Sequence, residues 1–394
     1  MDYAYRRPSP AIAFVGRHNS GKTTLIEKLI AYLTNQGVDV GSVKHHGHRG
    51  FEVDYPGKDS YRHRVAGSRD VVVVSPDRMA RIRELNREPE CNEVVAAMPG
   101  HDIVIVEGYR QSGLDTVEVI RSANERDAEA ACEFVEKGTV KGNTPVALVT
   151  DDYRVMQAAQ RRDIPSFGLD DVEAVANFVL ERYARPRLTV AIQAGGESRR
   201  MGCSKATIPF LGRPLLERIV TRMAPVADEL LITTNEPENL GFIASLDLPC
   251  PVRFVTDICD KRGSLRGIYT AFTAAKYPLV ALIACDMVFA SPALAYEQAR
   301  VAQREGVDAV VPCNANGYEP FHALYRAKTC LPAVKAALAR GETRAKDFFD
   351  AVCLHEFTRS EVKMAIPDGC CFVNVNTPDE LAHAEKLIME DGDR

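Results

Sequence analysis

The stretch Ala11-Ile12-Ala13-Phe14-Val15-Gly16-Arg17-His18-Asn19-Ser20-Gly21-Lys22-Thr23 decides the reading of the first half of the chain. A short apolar run of buried-strand type leads into G-x-x-x-x-G-K-[ST], and an amphipathic stretch from Thr23 to Asn35 follows. In that context the glycines let consecutive backbone N–H groups wrap a phosphate chain. Lys22 reaches the β and γ oxygens, and the Thr23 hydroxyl holds Mg²⁺ at the helix N-terminus. Gly16, Asn19, Ser20, Gly21, Lys22, Thr23 and Thr24 are the candidate nucleotide-binding residues. The run Ile103-Val104-Ile105-Val106-Glu107 ends a second strand on a carboxylate. Glu107 is the candidate for ordering the metal's water shell, a place usually taken by Asp.

Outward from this loop, apolar runs at Val71–Val74, Ile103–Val106, Val117–Ile120 and Val146–Val149 alternate with polar or helical segments. The pattern predicts a sheet covered by helices. A closing helix, Asp171 to Tyr183, carries Val172, Val175, Ala176 and Val179 at helical spacing, with Asp170 or Asp171 as its cap. Ala184-Arg185-Pro186-Arg187 breaks the periodicity, so the expected domains are 1–184 and 188–394, joined by a linker at 185–187. The second half repeats the logic. Strands are expected at Leu188–Ile192, Leu230–Thr233, Val252–Val255, Leu279–Ala284 and Ala309–Pro312, and helices at Pro214–Met223, Leu265–Ala275 and Pro292–Arg304.

The length, 394 residues, exceeds what one hydrophobic core sustains, which independently argues for two domains. With 46% apolar and 26% charged residues the composition is globular and excludes disordered and fibrous classes. The net charge of −5, from 49 basic and 54 acidic residues, comes with no basic block, so no nucleic-acid partner is expected. No membrane span or secretory leader is legible, and the expected location is the cytoplasm. The 11 cysteines fall unevenly and form no C-x-x-C, which reads as reduced thiols.

A second loop follows the first strand of the second half: Ala191-Ile192-Gln193-Ala194-Gly195-Gly196-Glu197-Ser198-Arg199-Arg200-Met201-Gly202, leading to Cys203-Ser204-Lys205. Its small residues let the backbone approach a triphosphate. Arg199 and Lys205 can neutralise the charge that builds when the α-phosphorus is attacked and pyrophosphate leaves. Leu282-Ile283-Ala284-Cys285-Asp286 places a carboxylate at a strand end, where open α/β sheets gather ligands, and Asp286 is a candidate Mg²⁺ ligand. Asp257 is a second candidate acid. Asn374, Asn376 and Thr377 could meet a pterin's amide-like edges, although Thr377 before Pro378 also reads as a helix cap. His322, beside an apolar strand, reads as a packed residue. His45, His46 and His48 lack partners for a tetrahedral metal set and read as polar loop residues around a nucleotide or acidic ligand. Asp151 or Asp152 could read a base.

The first loop, K-H-H-G-H from Lys44, P-G-K-D-S from Pro56, V-E-G-Y from Val106 and the closing helix together resemble the MobB family across most of residues 8–184. MobB proteins are GTP-binding adapters of molybdenum cofactor biosynthesis. The resemblance implies a P-loop NTPase-like domain with weak GTPase activity that forms a homodimer and assists a partner enzyme. Residues 188–394 resemble the MobA family of molybdenum cofactor guanylyltransferases. The likeness rests on A-G-G-x-x-x-R-M-G, G-R-P-L-L-E from Gly212, G-S-L-R-G-I from Gly263, C-D-M-V-F from Cys285, E-P-F-H-A-L-Y from Glu319 and F-V-N-V-N-T-P-D-E-L from Phe372.

The second resemblance implies a Rossmann-like nucleotidyltransferase domain that transfers GMP from GTP to molybdopterin carrying molybdenum. Each domain is then α/β, a mostly parallel sheet with flanking helices. Carried over by position, Gln193, Ala194, Gly195 and Gly196 contact the nucleotide, Lys205 the phosphates, Asp257 the nucleotide or metal, and Asp286 Mg²⁺. Thr233 or Asn235 could bind the nucleoside. Three departures stand out: Gln193 where Leu is usual, Ser204 where Asp is common, and Val288 for a frequent Pro. Implied partners are GTP, Mo-molybdopterin, molybdoenzyme apoproteins and upstream molybdenum-insertion proteins. The rivals are a cytidylyltransferase acting on the same pterin, a sugar-phosphate nucleotidyltransferase, and a GTP-dependent scaffold that delivers finished cofactor.

Overall fold

The computed structural model describes residues 5–48, 50–137, 145–194, 204–258, 263–314, 317–367 and 370–391. It contains two compact units, Pro8–Ala184 and a unit from Arg185 onward that also takes in the segment ending at Arg7.

In the first unit the strands are β1 (Ala11–Val15), β2 (Val40–Lys44), β3 (Asp70–Val74), β4 (Met79–Arg83), β5 (Ile103–Glu107), β6 (Thr116–Ile120), β7 (Ala147–Thr150) and β8 (Ser166–Phe167). The helices are α1 (Lys22–Asn35), α2 (Asp59–Val65), α3 (Cys91–Ala96), α4 (Glu125–Lys137), α5 (Tyr153–Gln160) and α6 (Val172–Arg182). Six strands form one parallel sheet in the order β2-β5-β1-β6-β7-β8. Strand period 2 explains the layering: Ile12 and Phe14 face Leu25, Leu29 and Leu33 of α1 and Val175 and Val179 of α6. Ala13 and Val15 face Cys91 and Val95 of α3 on the other side.

The expectation for Val71–Val74 requires correction. That run pairs antiparallel with β4 in a separate two-stranded hairpin, outside the main sheet. Only Val71 is buried, whereas Val72, Val73 and Val74 are exposed. A run of β-branched residues satisfies strand propensity in either place, so composition alone could not separate them. The strand that does flank β5 is the less apolar β2. At the closing helix Asp171 occupies the N-cap position, but its carboxylate accepts from the Gly168 N–H at 2.8 Å rather than from the helix.

The second unit is built from β9 (Leu188–Gln193), β10 (Pro209–Phe210), β11 (Arg213–Pro214), β12 (Glu229–Thr233), β13 (Val252–Val255), β14 (Leu279–Ala284), β15 (Ala309–Asn314), β16 (Gly317–Tyr318), β17 (His322–Arg326) and β18 (Leu354–Phe357). Its helices are α7 (Leu215–Met223), α8 (Ser264–Ala274), α9 (Pro292–Glu305), α10 (Ala327–Ala339), α11 (Arg359–Ala365) and α12 (Pro378–Asp391). The sheet runs β13-β12-β9-β14-β17-β15-β16, with β18 also on β15. It is parallel from β13 to β14, and β17 enters antiparallel. Val190 and Ile192 pack on Leu216, Ile219 and Val220 of α7, and Ala191 packs on Leu265 and Ile268 of α8. Arg185, in the segment that breaks the sequence periodicity, makes a fork-like pair with Asp228 at 2.6 and 2.7 Å, and Arg187 joins it at 2.9 Å. Among the described residues no helix is long and apolar enough to cross a membrane.

Candidate functional site

In the first unit, the loop from Gly16 to Gly21 joins β1 to α1. Gly16 is required by space, because a Cβ there would lie 2.4 Å from the Val119 carbonyl oxygen and 2.8 Å from Ser20 Oγ. Asn19 sits in the left-handed region at φ 62°, a conformation its short polar side chain tolerates. Lys22 curls back over the loop, its Nζ donating to the Arg17 carbonyl at 2.6 Å and to Ser20 Oγ at 3.4 Å. Burial lowers the Lys22 pKa, Glu107 counters that effect, and Lys44 and Arg110 add to it. Thr24, next on α1, is exposed.

Thr23 Oγ1 donates to Glu107 Oε1 at 2.8 Å, so the two residues expected to serve the metal are brought together. Their hard oxygen donors at a helix N-terminus suit Mg²⁺, which needs only one or two protein oxygens beside phosphates and water. Lys44 joins them, its Nζ 2.9 Å from Glu107 Oε1 and 3.4 Å from Thr23 Oγ1. Sequence reasoning had Lys44 only within a polar segment. The missing information was the register, in which Lys44 is the direct partner of Glu107 across β2 and β5.

The His45 N–H donates to the Glu107 carbonyl at 2.9 Å, while the histidine side chains turn to other partners. His45 bonds through Nε2 to the Glu88 carboxylate and stacks on Tyr109 at 4.0 Å. His46 Nδ1 lies 3.1 Å from the His48 carbonyl. Among the described residues no group of three or more His, Cys, Asp or Glu is arranged to hold a metal. Asp152 caps α5 and forks onto Arg154, while Asp151 accepts from the Ser122 N–H at 2.6 Å.

In the second unit, Gln193 ends β9 between Thr233 of β12 and Ala284 of β14. Gly195, Gly196 and Arg199 lie outside the described residues. Ala194 is buried, its N–H donating to the Thr233 carbonyl at 2.9 Å. The Gln193 carboxamide lies against α8 so closely that a Cβ at Gly267 would be 2.7 Å from Nε2, and Nε2 is buried with no hydrogen-bond partner among the described residues. Lys205 Nζ donates to Asp286 Oδ2 at 2.9 Å and to Asn376 Oδ1 at 2.7 Å. The Val375 N–H donates to the Asp286 carbonyl at 3.0 Å, fixing the segment that carries Asn374 and Asn376 beside the acid. Asn374 is exposed. Thr377 Oγ accepts from the Glu380 N–H at 3.2 Å, the capping role read from sequence.

Asp257, past the end of β13, has a cluster of its own. Arg266 Nη2 lies 2.6 Å from its Oδ2, Asn235 Nδ2 donates to the same oxygen at 3.3 Å, and Thr270 Oγ1 to Oδ1 at 3.4 Å. Thr233 has its side chain within the sheet, 3% exposed, whereas Asn235 is open to solvent. The loop after Asp286 is held by residues that sequence reasoning did not single out. Arg218 Nε donates to the Val288 carbonyl at 2.9 Å, and Arg222 Nε to that of Ala290 at 3.2 Å. Their one signal was basic residues spaced i, i+4 on a helix. His322, fully buried, accepts the Ser291 N–H on Nε2 at 2.8 Å, and burial lowers its pKa to about 4. Burial first and Asp286 second push the Cys285 thiol up to about 12, which keeps it protonated.

Residues 11–136 match the family model for molybdopterin guanine dinucleotide synthesis protein B, MobB, and residues 190–356 match that of the MobA-like NTP transferase domain. A probable molybdenum cofactor guanylyltransferase of Natranaerobius thermophilus is 30% identical over 201 residues, 51% of this chain and 96% of that relative. The molybdopterin-guanine dinucleotide biosynthesis adapter protein of Escherichia coli K12 is 31% identical over 179 residues, 44% of this chain and 92% of that relative. Among solved structures, molybdopterin-guanine dinucleotide biosynthesis protein A from Archaeoglobus fulgidus aligns with 51% of this chain at 22% identity, with a TM-score of 0.45. The first part of the chain therefore belongs to the MobB adapter family and the second to the molybdenum cofactor guanylyltransferases, two families carried in a single polypeptide.

Proposed function

We propose that the second unit transfers GMP from GTP to Mo-molybdopterin, yielding molybdopterin guanine dinucleotide and pyrophosphate, and that the first unit is a GTP-binding adapter for the reaction. The observation that carries this reading, beside family membership, is the junction of Lys205, Asp286 and Asn376 at the carboxyl end of the sheet. A terminal phosphate oxygen of molybdopterin forms a bond to the α-phosphorus of GTP, and the bond from that phosphorus to the α–β bridging oxygen breaks. The bonding pair leaves with pyrophosphate. The nucleophile is already anionic near neutral pH, so positioning and charge neutralisation carry the rate. Lys205 sits where it can take up the phosphate charge, Asn376 orients its ammonium, and Arg199 is assigned the same neutralising role.

Asp286 would hold Mg²⁺ in this unit, and Thr23 with Glu107 would hold it in the first; the ion supplies positive charge to the phosphates of the bound nucleotide. Gln193, Ala194, Gly195 and Gly196 would line the nucleotide, with Asp257 at its nucleoside end and the exposed Asn235, rather than the buried Thr233, beside it. Asn374 and Asn376 would face the pterin. The first unit is assigned a homodimer contact, supported by the exposed Val72, Val74 and Met79 on the hairpin of β3 and β4. Upstream molybdenum-insertion proteins would supply the substrate and molybdoenzyme apoproteins receive the product, in the cytoplasm, with residual GTP hydrolysis at the first site.

The test supplies Mg²⁺, molybdate-loaded molybdopterin and GTP or CTP in parallel, and reads pyrophosphate release and product mass. A guanine dinucleotide absent with Asp286→Ala is the expected result. Product with CTP alone would replace the nucleotide assignment, and no product with either would remove the transferase reading.

A further inference from the structure

Lys44 ends β2, two strands away from the phosphate-binding loop, and β5 with Glu107 lies between them. The loop therefore closes on a phosphate chain from the β1 side, whereas Lys44 approaches from the opposite side of Glu107. Its ammonium bridges Glu107 Oε1 at 2.9 Å and Thr23 Oγ1 at 3.4 Å, the two oxygens suited to Mg²⁺. A divalent ion binds such oxygens at about 2 Å, so an ammonium cannot keep both contacts beside it without strong like-charge repulsion. Glu107 is nearly enclosed at 14% side-chain exposure, while Lys44 is 60% exposed on a flexible stem. The lysine is thus the member of the pair that can move. Its tether at the strand end confines it to the same pocket rim, where the anion arriving with the metal is the phosphate chain. Lys22 reaches the β and γ oxygens from the β1 side, which leaves the outer oxygens of the terminal phosphate toward β5 and β2.

We propose that Lys44 senses the terminal phosphate in the first unit: when a magnesium-bound nucleoside triphosphate enters, its ammonium passes from Glu107 and Thr23 to the γ-phosphate, so that the unit distinguishes tri- from diphosphate. The proposal rests on the reading of this unit as a nucleotide binder. An ammonium resting on Glu107 keeps that carboxylate and Thr23 in place and then carries its charge to the one group that differs between GTP and GDP.

The experiment is calorimetric titration of the full chain with GTP and with GDP, each with Mg²⁺, for the unsubstituted protein, Lys44→Met and Lys44→Arg. The Lys22→Ala chain assigns which isotherm belongs to the first unit. Lys44→Met should weaken GTP binding at that site about tenfold and leave GDP within about twofold, as expected for one charge-assisted hydrogen bond. Lys44→Arg should recover most of the preference, because it keeps the charge. An equal loss for both nucleotides, or no loss, overturns the proposal. An unsubstituted chain with no Lys22-dependent isotherm overturns the nucleotide-binding reading itself, and the sensor with it.

Discussion

Lys205 Nζ lies 2.9 Å from Asp286 Oδ2, joining the segment before β10 to the acid just past β14. Both side chains are shielded, at 17% and 18% exposure, so the pair is little screened by solvent or salt. The same ammonium also holds Asn376, 171 residues further along the chain. One lysine thus fixes three segments that sequence places far apart.

Replacing Asp286 by Asn should preserve the fold and reduce turnover by roughly 10²–10³-fold, the range for losing one group aimed at transition-state charge. Lys205→Met should cost a comparable factor. The double variant should fall well short of the product of the two losses, because the groups act as a unit. Steady-state pyrophosphate release on all three chains checks this, and strictly additive effects would separate their roles.

His322 carries a pH dependence whose sign follows from its burial. Its folded pKa, about 4, lies below the ordinary imidazole value of 6.5, so between those values the unfolded chain takes a proton that the folded one refuses. Its contribution is complete above pH 6.5 and declines as pH falls toward 4, by on the order of 3 kcal/mol in all. Urea unfolding of the second unit should show this slope, and His322→Gln, which keeps an acceptor for the Ser291 N–H, should flatten it. An unchanged slope in the variant would assign the effect to other groups.

Gly16→Ala should abolish nucleotide binding by the first unit while leaving its sheet assembled. The added methyl meets the Val119 carbonyl at 2.4 Å, and the loop has to move to admit it. Loss of the Lys22-dependent calorimetric isotherm, with unchanged far-ultraviolet circular dichroism, is the outcome to look for.

Arg185→Met should destabilise the second unit by about 3–5 kcal/mol, since it strands the Asp228 carboxylate, 6% exposed. Arg187 at 2.9 Å and the Leu188 N–H at 2.8 Å remain as partners of the carboxylate, which places the expected loss toward the lower end of that range. Chemical denaturation measured above pH 6 reads the change directly.

Much of the architecture was legible in the sequence because it is local. The continuous apolar runs of β1 and β9, the Gly16–Thr23 loop and the N-T-P cap at Asn376–Pro378 each depend on neighbours a few residues away. The loop residues and the two strand-end acids Glu107 and Asp286 were recognisable on that basis. The hairpin of β3 and β4 was not, because Val71–Val74 satisfies strand propensity whichever partner it finds.

The sequence by itself determined the chemical inventory: two glycine-bearing loops, each after a strand, an acid at or just past the end of a later strand in each half, and the two families these motifs mark. Only the tertiary structure decided which distant groups complete each site. Lys44 reaches Glu107 because parallel pairing sets them side by side across β2 and β5. Arg218, Arg222 and His322 grip the loop behind Asp286 because α7 and β17 pack around it. Such contacts follow from strand order and helix packing, which arise from burial over the whole domain and leave no fixed spacing in the chain.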